Sequence, residues 1–329
     1  MFAGILDDTI RGLIGDQAIY FALAAIGLNI HFGYTGLLNF GQAVFMAAGA
    51  YGLAITVVTF GGSFWIGILV GVFVFPVVLA LLLGVPTLRL RADYLAMVTI
   101  ATAEMFRLFA RTPRFDWLTG SSDGLSGFAR DFYELSPFDP RSRYLFGLFQ
   151  GNQMWVFIVG WTTVAVVVLL TYLLINSPWG RVLKAIREDE DAALSLGKNA
   201  FTYKMQALIL GGVIGAIGGM IRAIGTQSAQ PDNFITDVTF FAWVAVILGG
   251  AGTIFGPVVG AMILWGIIAF ADSFMRSGVA DGWIPDWLLT GTQVGQVRFM
   301  LVGALLVVLA SQRPQGLFGN KEEMALDDR

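Results

Sequence analysis

Apolar residues recur along the chain in blocks of roughly 18 to 25 residues, long enough for a helix rising about 1.5 Å per residue to cross a hydrocarbon core about 30 Å thick. Polar stretches rich in glycine, proline and charged residues separate these blocks. The pattern predicts an all-α fold: one polytopic transmembrane helical bundle over 1–329, with about nine membrane segments in a range of about eight to ten. The predicted helices cover 14–32, 38–60, 63–85, 92–111, 153–175, 201–225, 237–255, 256–275 and 295–312.

Two longer polar stretches interrupt the blocks. The first, 112–152, is rich in Gly, Ser, Asp, Pro and Arg and is predicted to be a folded extramembrane loop. The second, 176–204, carries charges at helical spacing between apolar neighbours. We expect it to be helical and to lie flat on one face of the membrane.

The distribution of basic residues over the short loops predicts the orientation. Arg89 and Arg91 flank a tight connection, whereas 227–237 is acidic and contains no Lys or Arg. Because short cytoplasmic loops carry the excess of basic residues, this predicts that 176–204 and a tail at 313–329 are cytoplasmic. With an odd number of spans, the N-terminus and the 112–152 loop would then face outward.

Composition narrows the function classes. Apolar residues make up 56% of the chain and charged residues 13%, which is too few charges for an ordinary soluble surface. The net charge of -3, without a basic run, gives no indication of nucleic-acid binding. The absence of cysteine and the single histidine exclude disulfides, a Cys nucleophile and a multi-His metal site. An acidic N-terminus, with Asp7, Asp8 and Asp16 against Arg11, does not resemble a signal peptide.

Glycine and proline interrupt two of the apolar blocks, at 33–42 and at 249–257. Broken helices of this kind surround the pathway in transporters built from inverted repeats. The alternative is that both stretches are turns between consecutive helices, and this is the favoured interpretation for the second. Small residues four apart, as in Gly211, Gly215 and Gly219, predict a face for close helix packing in lipid.

The polar stretch 176–204 contains the strongest local signals. Ser177 followed by Pro178 is a suitable helix start, and the helix would carry a basic stripe of Arg181, Lys184 and Arg187. Four acidic residues at 188–191 follow, and a second short helix would end at Gly197, which suits a left-handed cap. The reversal of charge indicates either a docking surface or an ordinary interfacial helix with solvated charges.

Several ordered segments together resemble one family. They are 33–36 with 41–45, 93–96, 120–125, 180–181 with 185–190, 230–234, 248–252 and 313–317. Asp191-Ala192-Ala193, followed by Gly197, is similar to the coupling loop of ABC importer permeases, with Asp in place of Glu. The chain therefore resembles the LivM-type permease of branched-chain amino-acid ABC importers, in the LivH/LivM family, over nearly its whole length.

The resemblance implies a multi-pass permease of the bacterial cytoplasmic membrane that works by alternating access and is not an enzyme. ATP and Mg²⁺ would bind to partner subunits, because the sequence has no GxxxxGK[ST] loop. The implied partners are a second, LivH-type permease, two cytoplasmic ATPases and an extracytoplasmic solute-binding protein that meets the 112–152 loop. The residues expected to couple to the ATPases are Trp179, Arg181, Lys184, Arg187, Glu188, Asp191, Ala192 and Gly197.

Polar residues within the predicted spans are candidates for the pathway. Thr35, Asn39, Gln42 and Thr102 would offer hydrogen bonds to a zwitterionic solute, or alternatively hold helices together. Glu104, three residues before Arg107, is either a functional carboxylate or half of a neutralised pair near a helix end. His31, alone near an interface, is expected to be a packing residue.

Other functions remain as alternatives. Related permeases carry urea or short amides, and the residues above do not separate these cargoes from amino acids. An ion-coupled secondary transporter would need ionisable groups at the membrane midplane, and these are nearly absent here. A membrane-embedded enzyme would need a His cluster, a Cys nucleophile or paired carboxylates within the membrane spans, which the sequence lacks.

Overall fold

The computed structural model describes residues 2–90, 92–145, 147–281, 293–312 and 315–319. Its helices are α1 (Phe2–Ile14), α2 (Asp16–Thr35), α3 (Gln42–Ala54), α4 (Phe64–Leu69), α5 (Phe75–Thr87), α6 (Ala92–Arg111), α7 (Asp116–Thr119), α8 (Arg130–Glu134), α9 (Gly151–Ile175), α10 (Pro178–Glu188), α11 (Glu190–Ser195), α12 (Ala200–Thr226), α13 (Thr236–Gly249), α14 (Gly256–Ala280) and α15 (Val294–Gln312). The π-helical turns Ile55–Thr59 and Val70–Val74 extend α3 and join α4 to α5, and short 3-10 turns lie at Pro113–Phe115 and Pro231–Phe234.

Each of the nine predicted segments contains a helix, although 38–41 and 250–255 are not helical, and the all-α polytopic bundle is confirmed. Seven of the described helical segments are long and apolar enough to cross a membrane: Gly4–Thr35, Gln42–Thr59, Phe64–Thr87, Gly151–Ile175, Ala200–Thr226, Pro231–Gly249 and Gly256–Ala280. The two further predicted segments correspond to α6, which carries four charged residues, and to α15. The sequence analysis did not predict α1, because Asp7, Asp8 and Arg11 interrupt the apolar residues of this helix.

The centre of the bundle is α2, whose side chains are almost all buried. Small residues on one of its faces let α12 approach closely, so that the backbones at Gly27 and Gly211 nearly touch. Gly215 lies against the Gln42 side chain and Gly219 against the backbone of Met46 on α3. The three predicted packing glycines therefore lie where α12 meets α2 and α3.

The two long polar stretches lie at opposite ends of the bundle. The end of α2 contacts α10, whereas the start of α2 lies beside the first polar stretch, where a Cβ on Gly15 would be 3.8 Å from Phe149. Trp161 donates to the Ile14 carbonyl (2.8 Å) and Tyr133 to that of Ile224 (2.8 Å) at this same end. The cytoplasmic assignment of 176–204 stays a prediction, and most of the predicted tail at 313–329 lies outside the described residues.

The loop at 112–152 contains the bundle's short sheets. Strand β1 (Leu125–Ser126) pairs antiparallel with β4 (Ser228–Ala229), and β2 (Arg143–Tyr144) pairs with β3 (Phe149–Gln150). Beside the first pairing, Gln230 Nε2 donates to the Asp123 carbonyl (3.2 Å), which brings together two of the segments that carry the family resemblance, 120–125 and 230–234. The loop is thereby attached to the connection between α12 and α13.

Candidate coupling and translocation elements

The connection between α2 and α3 lies inside the bundle. Gln42, the first residue of α3, donates to the carbonyl of Ala24 (3.3 Å) in the middle of α2 and to that of Gly211 (3.2 Å) in the middle of α12. The non-helical residues 36–41 therefore run back into the protein from the end of α2 before α3 begins. Irregular backbone at membrane depth needs protein partners. The sequence predicted an interruption at 33–42 and left open whether it is a broken helix or a turn; the structure has non-helical backbone at 36–41 inside the bundle.

Those partners are present along the segment. The left-handed cap at Gly36 (φ 73°) lets Leu37 N–H donate to the His31 carbonyl (2.8 Å), which satisfies a carbonyl at the end of α2. Phe40 N–H donates to Thr99 Oγ1 (3.0 Å) on α6, and Trp243 Nε1 on α13 donates to the Asn39 carbonyl (3.0 Å).

A buried polar network occupies the space behind this segment. His31 Nε2 lies 3.1 Å from the Leu208 carbonyl, which can only accept, so Nε2 carries the proton. His31 Nδ1 then accepts from Asn39 Nδ2 (3.0 Å), and the same amide donates to Gln42 Oε1 (3.4 Å). Asn39 Oδ1 accepts from the Gly41 N–H (2.8 Å), so every polar atom of the Asn39 side chain has a partner.

The network places the predicted pathway residues among protein partners. Asn39 and Gln42 are 0% exposed, and Thr35 donates to the Ile30 carbonyl (2.8 Å). These contacts favour the alternative that such residues hold helices together in this conformation. Thr102, on α6, donates to the carbonyl of Val98 (2.8 Å) within its own helix. Their role in a pathway stays a prediction.

The stretch at 176–204 forms two short helices. Ser177 occupies the N-cap of α10 as predicted, but its hydroxyl donates back to the Leu174 carbonyl (2.6 Å) instead of capping the helix. Asp189, which the sequence analysis did not single out, caps α11 by accepting from Ala192 N–H (2.9 Å). Gly197 has the predicted left-handed conformation, with φ 77°.

The predicted basic stripe lies partly against the bundle. Arg187 Nη1 donates to the carbonyl of Gly33, one of the carbonyls in the last turn of α2 that lack a partner within the helix. A Cβ on Gly36 would lie 3.3 Å from Arg187 Cγ, so the glycine makes room for this side chain. Lys184 Nζ lies 6.0 Å from the centre of the Tyr34 ring. Both cations thus face the negative end of the α2 dipole, whereas Arg181 is exposed.

The remaining coupling candidates form an exposed surface. Glu188, Asp191, Ala192 and Gly197 are all exposed. Leu194 and Leu196 lie among them and are 49% and 80% exposed. We call this exposed group, 188–197, the docking surface. The pair between Lys204 and Glu190 fixes this surface to α12, and the adjoining α10 is held to α12 by Trp179 Nε1, which donates to Gln206 Oε1 (2.8 Å).

The opposite end of the bundle carries an ion-pair cluster. The predicted pair forms, with Arg107 Nη2 2.5 Å from Glu104 Oε1. The structure adds Asp232, whose Oδ1 lies 2.9 Å from Arg107 Nη1 and 3.6 Å from Arg111 Nη1. The cluster therefore joins α6 to the 231–234 turn. Asp232 lies in 230–234, one of the segments that carry the family resemblance. That resemblance was the only feature of the sequence analysis that pointed to this residue.

Two further contacts were not predicted. Asn29 of α2 accepts from Gly252 N–H (2.8 Å) and donates to the Thr253 carbonyl (2.7 Å), which fixes the turn between α13 and α14. Ala43 N–H at the start of α3 donates to Thr239 Oγ1 (2.8 Å) on α13. The stretch at 249–257 is therefore a turn, as favoured from the sequence.

Comparisons with known proteins match most of the chain to permease proteins. The family model described as "Branched-chain amino acid transport system / permease component" matches residues 13–310. The chain is 26% identical to the probable branched-chain amino acid transport permease protein LivM of Methanocaldococcus jannaschii, covering 91% of this chain and 90% of that protein. It is also 26% identical to the high-affinity branched-chain amino acid transport system permease proteins LivM of Salmonella typhimurium and Escherichia coli, over 92% of this chain and 69% of theirs.

Proposed function

Since the chain belongs to the family of branched-chain amino acid transport system permease components, we propose that it carries branched-chain amino acids across the membrane as the LivM-type subunit of an ATP-driven importer. It is a multi-pass permease of the cytoplasmic membrane. Permeases of ABC importers act with ATPases and a solute-binding protein. The complete importer would contain one LivH-type permease beside this chain, two ATPases and one binding protein.

The observation that carries the coupling mechanism is the contact between Arg187 and Gly33. A push on the docking surface from an ATPase would be transmitted through Arg187 to the end of α2. The residues that follow, 36–41, run into the buried network of His31, Asn39 and Gln42. Because that network is fully hydrogen-bonded, motion at the turn would move α2, α3 and α12 together rather than deform one loop.

The substrate assignment rests on the relatives. The three named relatives are all branched-chain amino acid permeases, and each is matched over more than nine-tenths of this chain. Urea and short amides are the second candidate cargo. They differ from leucine in carrying neither a carboxylate nor an ammonium group, so uptake can separate the two.

The test is uptake into vesicles that contain this chain, its partner permease, both ATPases and the binding protein. Labelled leucine and labelled urea are supplied in parallel, with and without ATP. We expect leucine to enter only with ATP and urea not to enter. Uptake of urea alone would replace the substrate and keep the mechanism, whereas ATP-independent transport by this chain alone would contradict the importer.

A further inference from the structure

A narrow, partly open pocket lies beside the broken segment, between α3 and α6. Its walls are Val44, Ala47 and Tyr51 from α3, and Ala103, Phe106 and Arg107 from α6. Pro231 and Phe234 of the 231–234 turn complete the lining. The space between these residues, including the open mouth of the pocket, is about 190 Å³, and it is too narrow to admit a water molecule. In this conformation the pocket is therefore too narrow to hold a solute.

Tyr51 places an unsatisfied hydroxyl at this pocket. The residue is 1% exposed, and its hydroxyl oxygen has no hydrogen-bond partner among the described residues. A buried hydroxyl without a partner destabilises the folded state, and phenylalanine would fill the same space without that cost. A tyrosine at this position is explained if a hydrogen-bonding group enters the pocket in another conformation.

Arg107 brings charge to the same pocket. Its guanidinium holds two carboxylates, Glu104 through Nε (3.0 Å) and Nη2 (2.5 Å) and Asp232 through Nη1 (2.9 Å). The side chain of Arg107 is 17% exposed, and those of Glu104 and Asp232 are 40% and 54% exposed. Ion pairs that water can reach are weak, so these partners can be exchanged.

A free amino acid offers the groups that this arrangement lacks. Its carboxylate can accept two parallel bonds from a guanidinium and one from a hydroxyl. Its ammonium can take the place of Arg107 beside Glu104 or Asp232. The walls formed by Val44, Ala47, Ala103 and Phe106 are apolar and would contact an aliphatic side chain.

We propose that the pocket between α3 and α6 is a transient binding site for an aliphatic α-amino acid zwitterion. Arg107 and the Tyr51 hydroxyl hold the carboxylate, Glu104 and Asp232 hold the ammonium, and the pocket opens when α6 moves away from α3. This site rests on the proposed function and deepens it. It gives the permease its own discrimination against uncharged solutes such as urea, in addition to that of the binding protein.

Tyr51→Phe is the sharpest test, because it removes only the unpartnered hydroxyl. The complete importer is reconstituted with each variant, and leucine uptake and the unfolding temperature of the permease are measured together. We expect Tyr51→Phe to unfold at the same or a higher temperature while the uptake rate falls about tenfold, the effect of losing one hydrogen bond to a charged group. A purely structural tyrosine would leave uptake unchanged.

Arg107 is tested in the same assay. Arg107→Gln should abolish uptake, and Arg107→Lys should recover part of it, because lysine keeps the charge without the planar fork. The matched control is Arg276→Gln, which removes an exposed arginine paired with Asp272 at the same end of the bundle. The control should import leucine like the wild type.

The outcomes separate this site from the proposed function. Normal leucine uptake by Tyr51→Phe and Arg107→Gln would overturn the site and leave the importer standing. No leucine uptake by the wild-type assembly would refute the proposed function and the amino acid as occupant. A photoreactive leucine analogue should label 44–51 or 103–107 during turnover, and labelling confined to other segments would also overturn the site.

Discussion

His31, Asn39 and Gln42 show how single residues fix a backbone that is not helical at membrane depth. Each polar atom in the network has a fixed donor or acceptor role, beginning with the Leu208 carbonyl that sets the proton on His31 Nε2. The network therefore specifies one arrangement of α2, α3 and α12. It does this without an ionised group, whose transfer into the bilayer would be costly.

At this scale, replacing Asn39 tests the network. Asn39→Leu keeps a similar volume but leaves the Gly41 N–H, His31 Nδ1 and Gln42 Oε1 without their partner. Leaving buried polar groups unsatisfied costs about 1–3 kcal/mol each, so the unfolding temperature of the purified permease should fall clearly. Thr162→Val on an exposed face of α9 is the control and should leave that temperature unchanged. An unshifted temperature for Asn39→Leu would contradict the structural role of the network.

Sequence alone identified some of these residues and missed others. It selected Asn39 and Gln42 as polar residues that could bond a solute or hold helices together, and it predicted the Glu104–Arg107 pair from their spacing. It did not identify Trp243 as a partner of Asn39 or Asp232 as a partner of Arg107, and it missed the contact of Asn29 with the turn at 249–257. Those contacts join residues far apart in the chain, and no local pattern encodes which helices become neighbours.

At the scale of elements, α12 is held against its neighbours by glycines rather than by large side chains. A Cβ on Gly219 would lie 2.5 Å from Met46 Cα on α3, which leaves no space for a methyl group. Gly225, one turn and a half further along, would meet only Asp16 Oδ2 and Val156 Cγ1, each at 3.7 Å. The same helix thus provides a tight and an open glycine.

This contrast gives a matched pair of substitutions. Gly219→Ala should lower the unfolding temperature and the amount of monodisperse permease recovered, because the backbones of α12 and α3 must separate. Gly225→Ala should leave both unchanged or raise the temperature, since alanine favours a helix over glycine by about 1 kcal/mol. Equal behaviour of the two variants in a thermal unfolding assay would contradict the close packing of α12 on α3.

The sequence predicted which segments form helices more accurately than it predicted where those helices begin and end. Long apolar blocks specify a membrane helix by length and hydrophobicity, and all nine were found. The end of α13 at Gly249, instead of 255, depends on the Gly-rich turn being bound by Asn29, a tertiary contact. The short α1 was missed because its charged residues interrupt the apolar pattern, although it packs along α14.

At the scale of the whole molecule, the two ends of the bundle carry different chemistry. One end presents the docking surface, tied to α2 through Arg187. The other presents the ion-pair cluster and the paired strands β1 and β4. The sequence indicated this division through its two polar stretches. The contact of Arg187 with the end of α2, and the buried network behind residues 36–41, became visible only in three dimensions.

The central claim is that Arg187 transmits ATPase motion into the membrane helices. The most direct measurement is the ratio of leucine imported to ATP hydrolysed, in the reconstituted importer, for Arg187→Ala and for the exposed control Lys198→Ala. We predict that Arg187→Ala lowers the ratio about tenfold, the effect of losing a charge-assisted hydrogen bond, while Lys198→Ala keeps the wild-type ratio. An unchanged ratio in Arg187→Ala, with both rates intact, would contradict the claim.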